Sequence, residues 1–346
     1  MAWCAPRKLI AKRWAPRRPS LRPRIEVFAS RRPLVMTRRE LLLSAAAAVL
    51  LPRTGRAAVP HSVPTIDTHT HFYDPTRPGG VPWPPKSETL LYAQHLPRHY
   101  RETVAALNVV GTVVVEASPL LEDNQWILDL ASDEAAIVGF VGNLPPGRPE
   151  FAAHLRRFTA NPLFRGLRFD LPILKAVGES SVDADLTRLA DASLTVDVIG
   201  RLPIVEPTLR LARRWPTLRV VIDHLPFADW HGAVPAMKTA LKELAAQPNV
   251  FAKVSEIVRR ANGNPITAPA FYRPALDALL ELFGPDRVVY GSNWPVSERV
   301  APYATVHRVA TEYFATSDAA LAEKFFWRNS FTAYRWIPRG AAVDLV

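Results

Sequence analysis

Between Thr65 and Gly291, short apolar runs alternate with longer stretches in which apolar residues recur every three or four positions. The short runs predict strands at Thr65–His69, Val110–Glu116, Ile137–Gly142, Gly166–Phe169, Thr195–Val198, Val220–Asp223, Val250–Lys253 and Val288–Gly291. The segments between them, such as "DNQWILDLASDEA", "EPTLRLARRWP", "AVPAMKTALKELAAQP" and "RPALDALLELFG", carry helical spacing and end at Pro or Gly. Eight strand-then-helix units in about 280 residues predict an α/β fold, a (β/α)8 TIM-type barrel in a single domain. A doubly wound open sheet would be announced by a glycine-rich phosphate loop after the first strand, and "DTHTHF" is not one. The Pro-rich loop 74–87 is expected to cover part of the active face.

In such a barrel, chemistry gathers where strands give way to loops at their carboxyl ends. Asp67, His69 and His71 occupy alternate positions of the first strand and should share a face. Strand two ends in Glu116, strand four in Arg168 and Asp170, and strand six in His224. Strand seven ends in Ser255, and strand eight in Ser292 and Asn293. A His-x-His pair alone is common in any chain. At the mouth of the first strand of an eight-unit barrel it reads as a metal or catalytic pair, with His224 as a third imidazole. Arg168 suits a substrate carboxylate bidentately or a structural ion pair. Glu116 is a ligand, an orienting residue or a rim charge. Trp83 and Trp294, aromatic residues of the rim loops, wall a pocket or pack, and with Ser255 they are candidate substrate contacts. Asp170 and Ser292 support from behind. His61, His95, His99, His154, His231 and His307 fall in loops or helices and are expected at the surface, with His95 and His99 near enough to the first long loop to reach a substrate.

Charge changes the picture less than the total suggests. The net charge of +11 is concentrated in residues 1–58, which hold 14 Lys/Arg and two acids, leaving 29 bases against 30 acids in 59–346. The body gives no reason to expect a nucleic-acid partner. Its lack of cysteine excludes disulfides and thiolate chemistry there, the sole cysteine being Cys4. Residues 1–58 read as a disordered basic head followed by a twin-arginine-type signal peptide. Arg38-Arg39 precede an apolar run from Leu41 to Leu51 and small residues at Gly55, Ala57 and Ala58, with Met36 as an alternative start. The run is too short for a stable membrane anchor. The expectation is a protein handed to the export machinery, periplasmic or extracellular, with its barrel at 59–346.

Taken together, "TIDTHTHFYDP", "FRGLRFD", "RRWPTLRVVIDHLPF" and "RVVYGSNWPV" resemble the amidohydrolase superfamily, in particular its branch of small barrels that includes sugar lactonases and 2-pyrone-4,6-dicarboxylate lactonase. The resemblance runs from about Pro64 to Trp336. It implies that His69 and His71 are the strand-one pair, that His224 is the strand-six histidine, and that Asn293 stands where the pattern has an aspartate. An amide has no basic lone pair, so Asn293 cannot take a proton from water, though it can hold a water or an oxyanion. Strand five offers Asp197 but no histidine, so one usual metal ligand is missing. A divalent ion would be left with His69, His71, His224 and Glu116. The expected cofactor is therefore none, or one weakly held zinc or manganese.

These readings predict a hydrolase that opens a lactone or related cyclic ester of a small carboxylated or sugar-derived compound. His69, His71 and His224 would surround the carbonyl, Asn293 would orient water or the oxyanion, and Arg168 would bind a carboxylate. Two rivals are a metal-dependent decarboxylase of the same superfamily and a barrel that binds a small molecule without chemistry.

Overall fold

A computed structural model describes residues 63–227, 230, 232–315 and 317–346. The basic head, the twin-arginine pattern, His61 and His231 lie outside the described residues. The eight strands are β1 (Thr65–Thr70), β2 (Val109–Val115), β3 (Ile137–Gly142), β4 (Phe164–Phe169), β5 (Thr195–Val198), β6 (Arg219–Ile222), β7 (Val250–Val254) and β8 (Val288–Tyr290). Each lies within two residues of its predicted span at either end. They pair in parallel in sequence order. The ring closes between β8 and β1 through a parallel bridge from Thr70 to Trp294, with the Asn293 N–H donating to the His69 carbonyl (2.9 Å) and the His71 N–H to that of Trp294 (2.8 Å). The result is a TIM-type barrel with helices outside. Among the described residues no helix is long and apolar enough to cross a membrane.

Strand alternation sorts side chains into two apolar layers. Val114, Val220, Ile222, Val250, Ala252 and Tyr290 pack outward with the helices, for example against Leu211, Leu241 and Leu279. Their neighbours Val113, Val115, Val221, Phe251 and Val289 pack inward around Trp327, Tyr334 and Trp336 of the C-terminal segment. That segment stoppers the lower barrel. The Ala333 carbonyl accepts from Thr195 Oγ1 (2.6 Å) and from Arg219 Nε (2.7 Å), tying the stopper to β5 and β6. One step above this dry layer, the same parity places Lys253 after Phe251 and Asp223 after Val221. Position 291, after Val289, needs glycine: a Cβ there would sit 2.8 Å from the His69 Cβ.

β1 departs from simple alternation. Between Asp67 and Thr70 it advances three residues while β2 advances two, from Thr112 to Val114. The extra residue is a bulge, and it reverses the face of the residues beyond it. Ile66 and His69 consequently both point into the barrel, whereas Asp67 faces the helices. Its carboxylate accepts there from the hydroxyls of Tyr100 and Tyr303 (both 3.1 Å) and from the Ser292 N–H (2.8 Å). The expectation that Asp67 lines the site with the two histidines is overturned by this one inserted residue.

Candidate active site

At the centre of the barrel, wholly buried, lies a charged cluster that β5, β6 and β7 build together. The Lys253 ammonium donates to Asp197 Oδ2 (2.6 Å), stands 2.8 Å from Asp223 Oδ1 and reaches His69 Nδ1 at 3.3 Å. The hydroxyl of Tyr334, from the stopper, donates to the other oxygen of Asp197 (2.8 Å). Burial would push Asp223 up, but the Lys253 ammonium, with the His69 ring beside it, outweighs that and holds its carboxyl well below the usual range. Burial likewise favours a neutral lysine, yet the two aspartates together keep the Lys253 pKa raised. One ammonium cannot fully compensate two carboxylates, and burial holds the Asp197 carboxyl up at about 7.

Above this cluster three imidazoles converge. The His69 ring lies 4.9 Å from that of His71 and 4.7 Å from that of His224. Successive strand residues point to opposite faces, so Asp223 and His224 could not both enter the barrel from a regular strand. His224 adopts φ of +61°, and this left-handed turn at the exit of β6 aims both residues inward. Its backbone N–H donates to Ser255 Oγ (3.1 Å), which also lies 2.9 Å from His224 Nδ1. The Glu256 carboxylate stands 4.0 Å from the same nitrogen. A cavity of about 190 Å³ opens beside His224, lined also by Gly200, Arg201, Phe227, Glu256 and Arg259.

Burial lowers the pKa of all three histidines. His69 is held well below the ordinary value, His71 at about 3, and His224 below 6.5. All three rings are therefore neutral at pH 7. For His71 this decides the neighbouring amide. Its Nδ1 lies 2.9 Å from the Val115 carbonyl and its Nε2 3.2 Å from the side-chain oxygen position of Asn293. A neutral ring cannot donate from both nitrogens. With Nδ1–H on the carbonyl, Nε2 is an acceptor, and the amide presents its NH2 rather than its oxygen.

Several sequence-predicted residues take other parts. Glu116 does not join the histidines: Arg168 Nε donates to its carboxylate (2.7 Å) and Arg168 Nη2 to its backbone carbonyl (2.9 Å), so the two charges neutralise each other at the rim. His71, with both nitrogens engaged, is likewise no free ligand. Trp294 is 2% exposed and packs among Phe72, Tyr100 and His95, with its indole N–H on Glu298, so it does not contact substrate. Ser255 is buried and holds His224 instead of facing a ligand. Asp170 caps a short helix by accepting from the Ile173 N–H. Trp83, in the Pro-rich loop, stands edge-on to His71 with ring centroids 6.0 Å apart, and it walls the site. His307 is buried, 3.2 Å from Thr65 Oγ1, where a surface position was expected.

Sequence reading missed Asp223 and Lys253, and it weighed Asp197 only as an absent histidine. The signal was present in "VDV", "VVID" and "FAKV". Charged residues inside apolar strands are almost never buried without partners, and here an acid, an acid and a base lie on three successive strands.

Among the described residues, His69, Asp223 and His224 bring three donor atoms within 4.8 Å of one another. His69 Nε2 and both oxygens of Asp223 are buried without hydrogen-bond partners, Asp223 Oδ1 being in ion-pair contact with Lys253 at 2.8 Å. Two imidazoles and a carboxylate are a donor set that zinc accepts, so these residues fit a divalent ion in kind and number. Asp223 replaces the expected His71 and Glu116 in that set.

Over residues 66–336 the sequence matches the family described as amidohydrolase. It is 34% identical over 249 residues to an L-fucono-1,5-lactonase of Burkholderia ambifaria, covering 67% of this chain and 80% of that protein. It is 30% identical over 297 residues to an L-fucono-1,5-lactonase of Burkholderia multivorans, covering 81% of this chain and 98% of the relative. Among solved structures, an amidohydrolase of Burkholderia multivorans with bound zinc superposes with a TM-score of 0.71 at 24% identity, covering 79% of this chain and 99% of that one.

Proposed function

The chain belongs to the amidohydrolase family, and from that premise we propose that it is a hydrolase opening the ester of a small, sugar-derived lactone. The support that weighs most is the meeting of three neutral imidazoles around a buried ring nitrogen without a partner, His69 Nε2. Water adds to the lactone carbonyl as His224 takes its proton. The Nδ1–H of His224, facing Ser255 and the Glu256 carboxylate, leaves the lone pair on Nε2 for that task. The carbonyl oxygen, becoming an oxyanion, lies toward His69 and the Asn293–His71 wall. When the ring C–O bond breaks, the leaving alkoxide recovers the proton from His224, and a hydroxy acid departs.

The Arg168–Glu116 pair favours a neutral sugar lactone over an acidic one, because the cation meant for a substrate carboxylate is already matched. Substituting Arg168 by Met should therefore raise KM for neutral and acidic lactones alike. A rise confined to acidic lactones would show that Arg168 binds their carboxylate.

A divalent ion such as zinc or manganese would be held by His69, Asp223 and His224. When bound it supplies a more acidic water and a Lewis acid for the carbonyl. We take it as weakly held, because the Lys253 ammonium already lies 2.8 Å from Asp223.

The central test is steady-state hydrolysis of L-fucono-1,5-lactone and related aldonolactones, with Asn293→Asp alongside the natural chain. The new carboxylate would face the lone pair of His71 and draw a proton onto that ring. Activity should fall about 10²-fold, the scale for one lost hydrogen-bond donor. No turnover by the natural chain on any lactone would sink the proposal, and a gain by Asn293→Asp would mean that the aspartate of the wider superfamily pattern is what the chemistry lacks.

We further propose export through the twin-arginine pattern. Changing Arg38 and Arg39 to Lys in the full chain should strand the protein in the cytoplasm on cell fractionation. Unaltered secretion would refute this.

A further inference from the structure

We infer that Lys253 is a positioning residue that fixes His69 as the Nε2–H tautomer, making His69 a hydrogen-bond donor to the reacting carbonyl while weakening its grip on any metal. An ammonium has three donors and no acceptor. Lys253 has three partners, Asp197 Oδ2, Asp223 Oδ1 and His69 Nδ1, at 2.6, 2.8 and 3.3 Å. The contact with His69 can only be Nζ–H to the lone pair of Nδ1, and a neutral imidazole with its lone pair on Nδ1 carries its proton on Nε2.

The competing arrangement, Nδ1–H donating to Asp223 Oδ1 across 3.5 Å, is longer and would set an N–H dipole against the ammonium. The aspartate's nearer cation is Lys253. His69 Nε2 then holds a buried, unspent N–H. A buried donor left unmatched is costly, and an oxygen brought by a ligand would recover that cost.

His224 stands in the opposite field. Its Nδ1 faces Ser255 Oγ and the Glu256 carboxylate, so its proton belongs on Nδ1 and its lone pair on Nε2. A fixed cation behind one ring and an anion behind the other thus give two neutral imidazoles, 4.7 Å apart, complementary tautomers. One is a donor for the oxyanion and the other a base for water. A metal requires the lone pair on the ligating nitrogen. With Nε2 protonated, His69 must first change tautomer against the ammonium before it can bind one there.

This inference rests on the lactonase reading for its catalytic meaning, but its physical content can be tested apart from it. Nitrogen-15 NMR of the full chain labelled at histidine, with His69 and His224 assigned by His69→Gln and His224→Gln, should show His69 unprotonated at Nδ1 and protonated at Nε2, with the reverse at His224. A protonated Nδ1 on His69 would overturn the proposal. Zinc titration of the full chain by calorimetry should then show Lys253→Met binding at least tenfold more tightly than the natural chain. Equal affinity in a folded Lys253→Met would overturn the role assigned to the ammonium. In lactone hydrolysis the same variant should lose about 10²-fold in kcat with little change in KM, the pattern of a lost transition-state donor. Should Lys253→Met not fold, the NMR of the natural chain still decides. Should the tautomers be found as stated while no lactone is turned over, the functional reading alone has failed.

Discussion

Lowering the pH from 7 to 5 should remove roughly 4 kcal/mol of stability through two histidines alone, of which one buried carboxyl should return about 2 kcal/mol. Burial holds His71 at about 3 and His307 at about 4. In the unfolded chain both titrate near 6.5. The sign follows from proton counts. Above 6.5 neither state binds the proton and stability is unaffected. Below it the unfolded chain binds protons that the fold refuses, so stability drops by about 1.4 kcal/mol per pH unit for each ring until the folded pKa is reached. His69 and His224, also lowered by burial, act in the same direction, and the less buried His95 adds a screened share. Asp197, held up at about 7, opposes them: the fold takes up a proton there that the unfolded chain refuses above about 3.9. This returns about 2 kcal/mol between pH 7 and 5, and the raised Asp67 acts with it. The depressed carboxyl of Asp223 adds its own loss only below the unfolded value near 3.9. Against a total stability of about 5–15 kcal/mol, the net loss is large enough to lower the melting temperature by several degrees. Circular-dichroism melts from pH 8 to 4 should change little above 6.5 and fall below it. His307→Phe, which removes one ring from the count, should recover about 2 kcal/mol between pH 7 and pH 5 relative to the natural chain. A His307→Phe variant that loses as much stability as the natural chain between pH 7 and 5 would mean that the buried ring protonates within the fold.

The strands were legible because a parallel barrel buries both faces of each, so every strand appears as a short apolar run bounded by polar turns. The rim histidines were legible from their place at strand ends. What alternation could not convey was where it breaks. The bulge in β1 turns Asp67 toward Tyr100 and Tyr303, and the left-handed φ at His224 turns Asp223 and its neighbour to one side. Neither follows from residue type, since no glycine marks either point. The internal charges were readable in principle. A lysine in "FAKV" and aspartates in "TVDV" and "VVID" predict one another once three strands are known to be adjacent, but adjacency is a property of the sheet and not of any single strand. Trp294 was misread for a related reason: an aromatic residue after a strand end looks alike whether its ring turns to the ligand or beneath it.

The largest change in stability at neutral pH should come from Lys253→Met, and a second substitution should partly repair it. Removing one partner of a buried ion pair typically costs about 3–5 kcal/mol, because the charge left behind is neither solvated nor paired. Asp197→Leu belongs at the low end of that range. It leaves Lys253 with Asp223 at 2.8 Å and orphans only the hydroxyl of Tyr334. Lys253→Met leaves Asp223 with no other cation among its described neighbours and drives Asp197, already up at about 7, to its neutral form. It should exceed the cost of Asp197→Leu, because the charge left on Asp223 has no partner. Adding Asp197→Leu to Lys253→Met then removes a buried carboxyl that has lost its ammonium partner and places apolar atoms beside the inward layer of Val221 and Phe251. The double variant should be more stable than Lys253→Met alone, so that a substitution harmful in the natural chain becomes favourable in the variant. Urea unfolding at pH 7 of the four proteins of this cycle measures the coupling directly. Additive losses would show that the lysine and the two aspartates do not act as one unit. A coupling of the expected sign would mean that the ammonium is what keeps two acids together beneath His69, since among the described residues nothing else at that depth in the barrel carries a compensating charge for both.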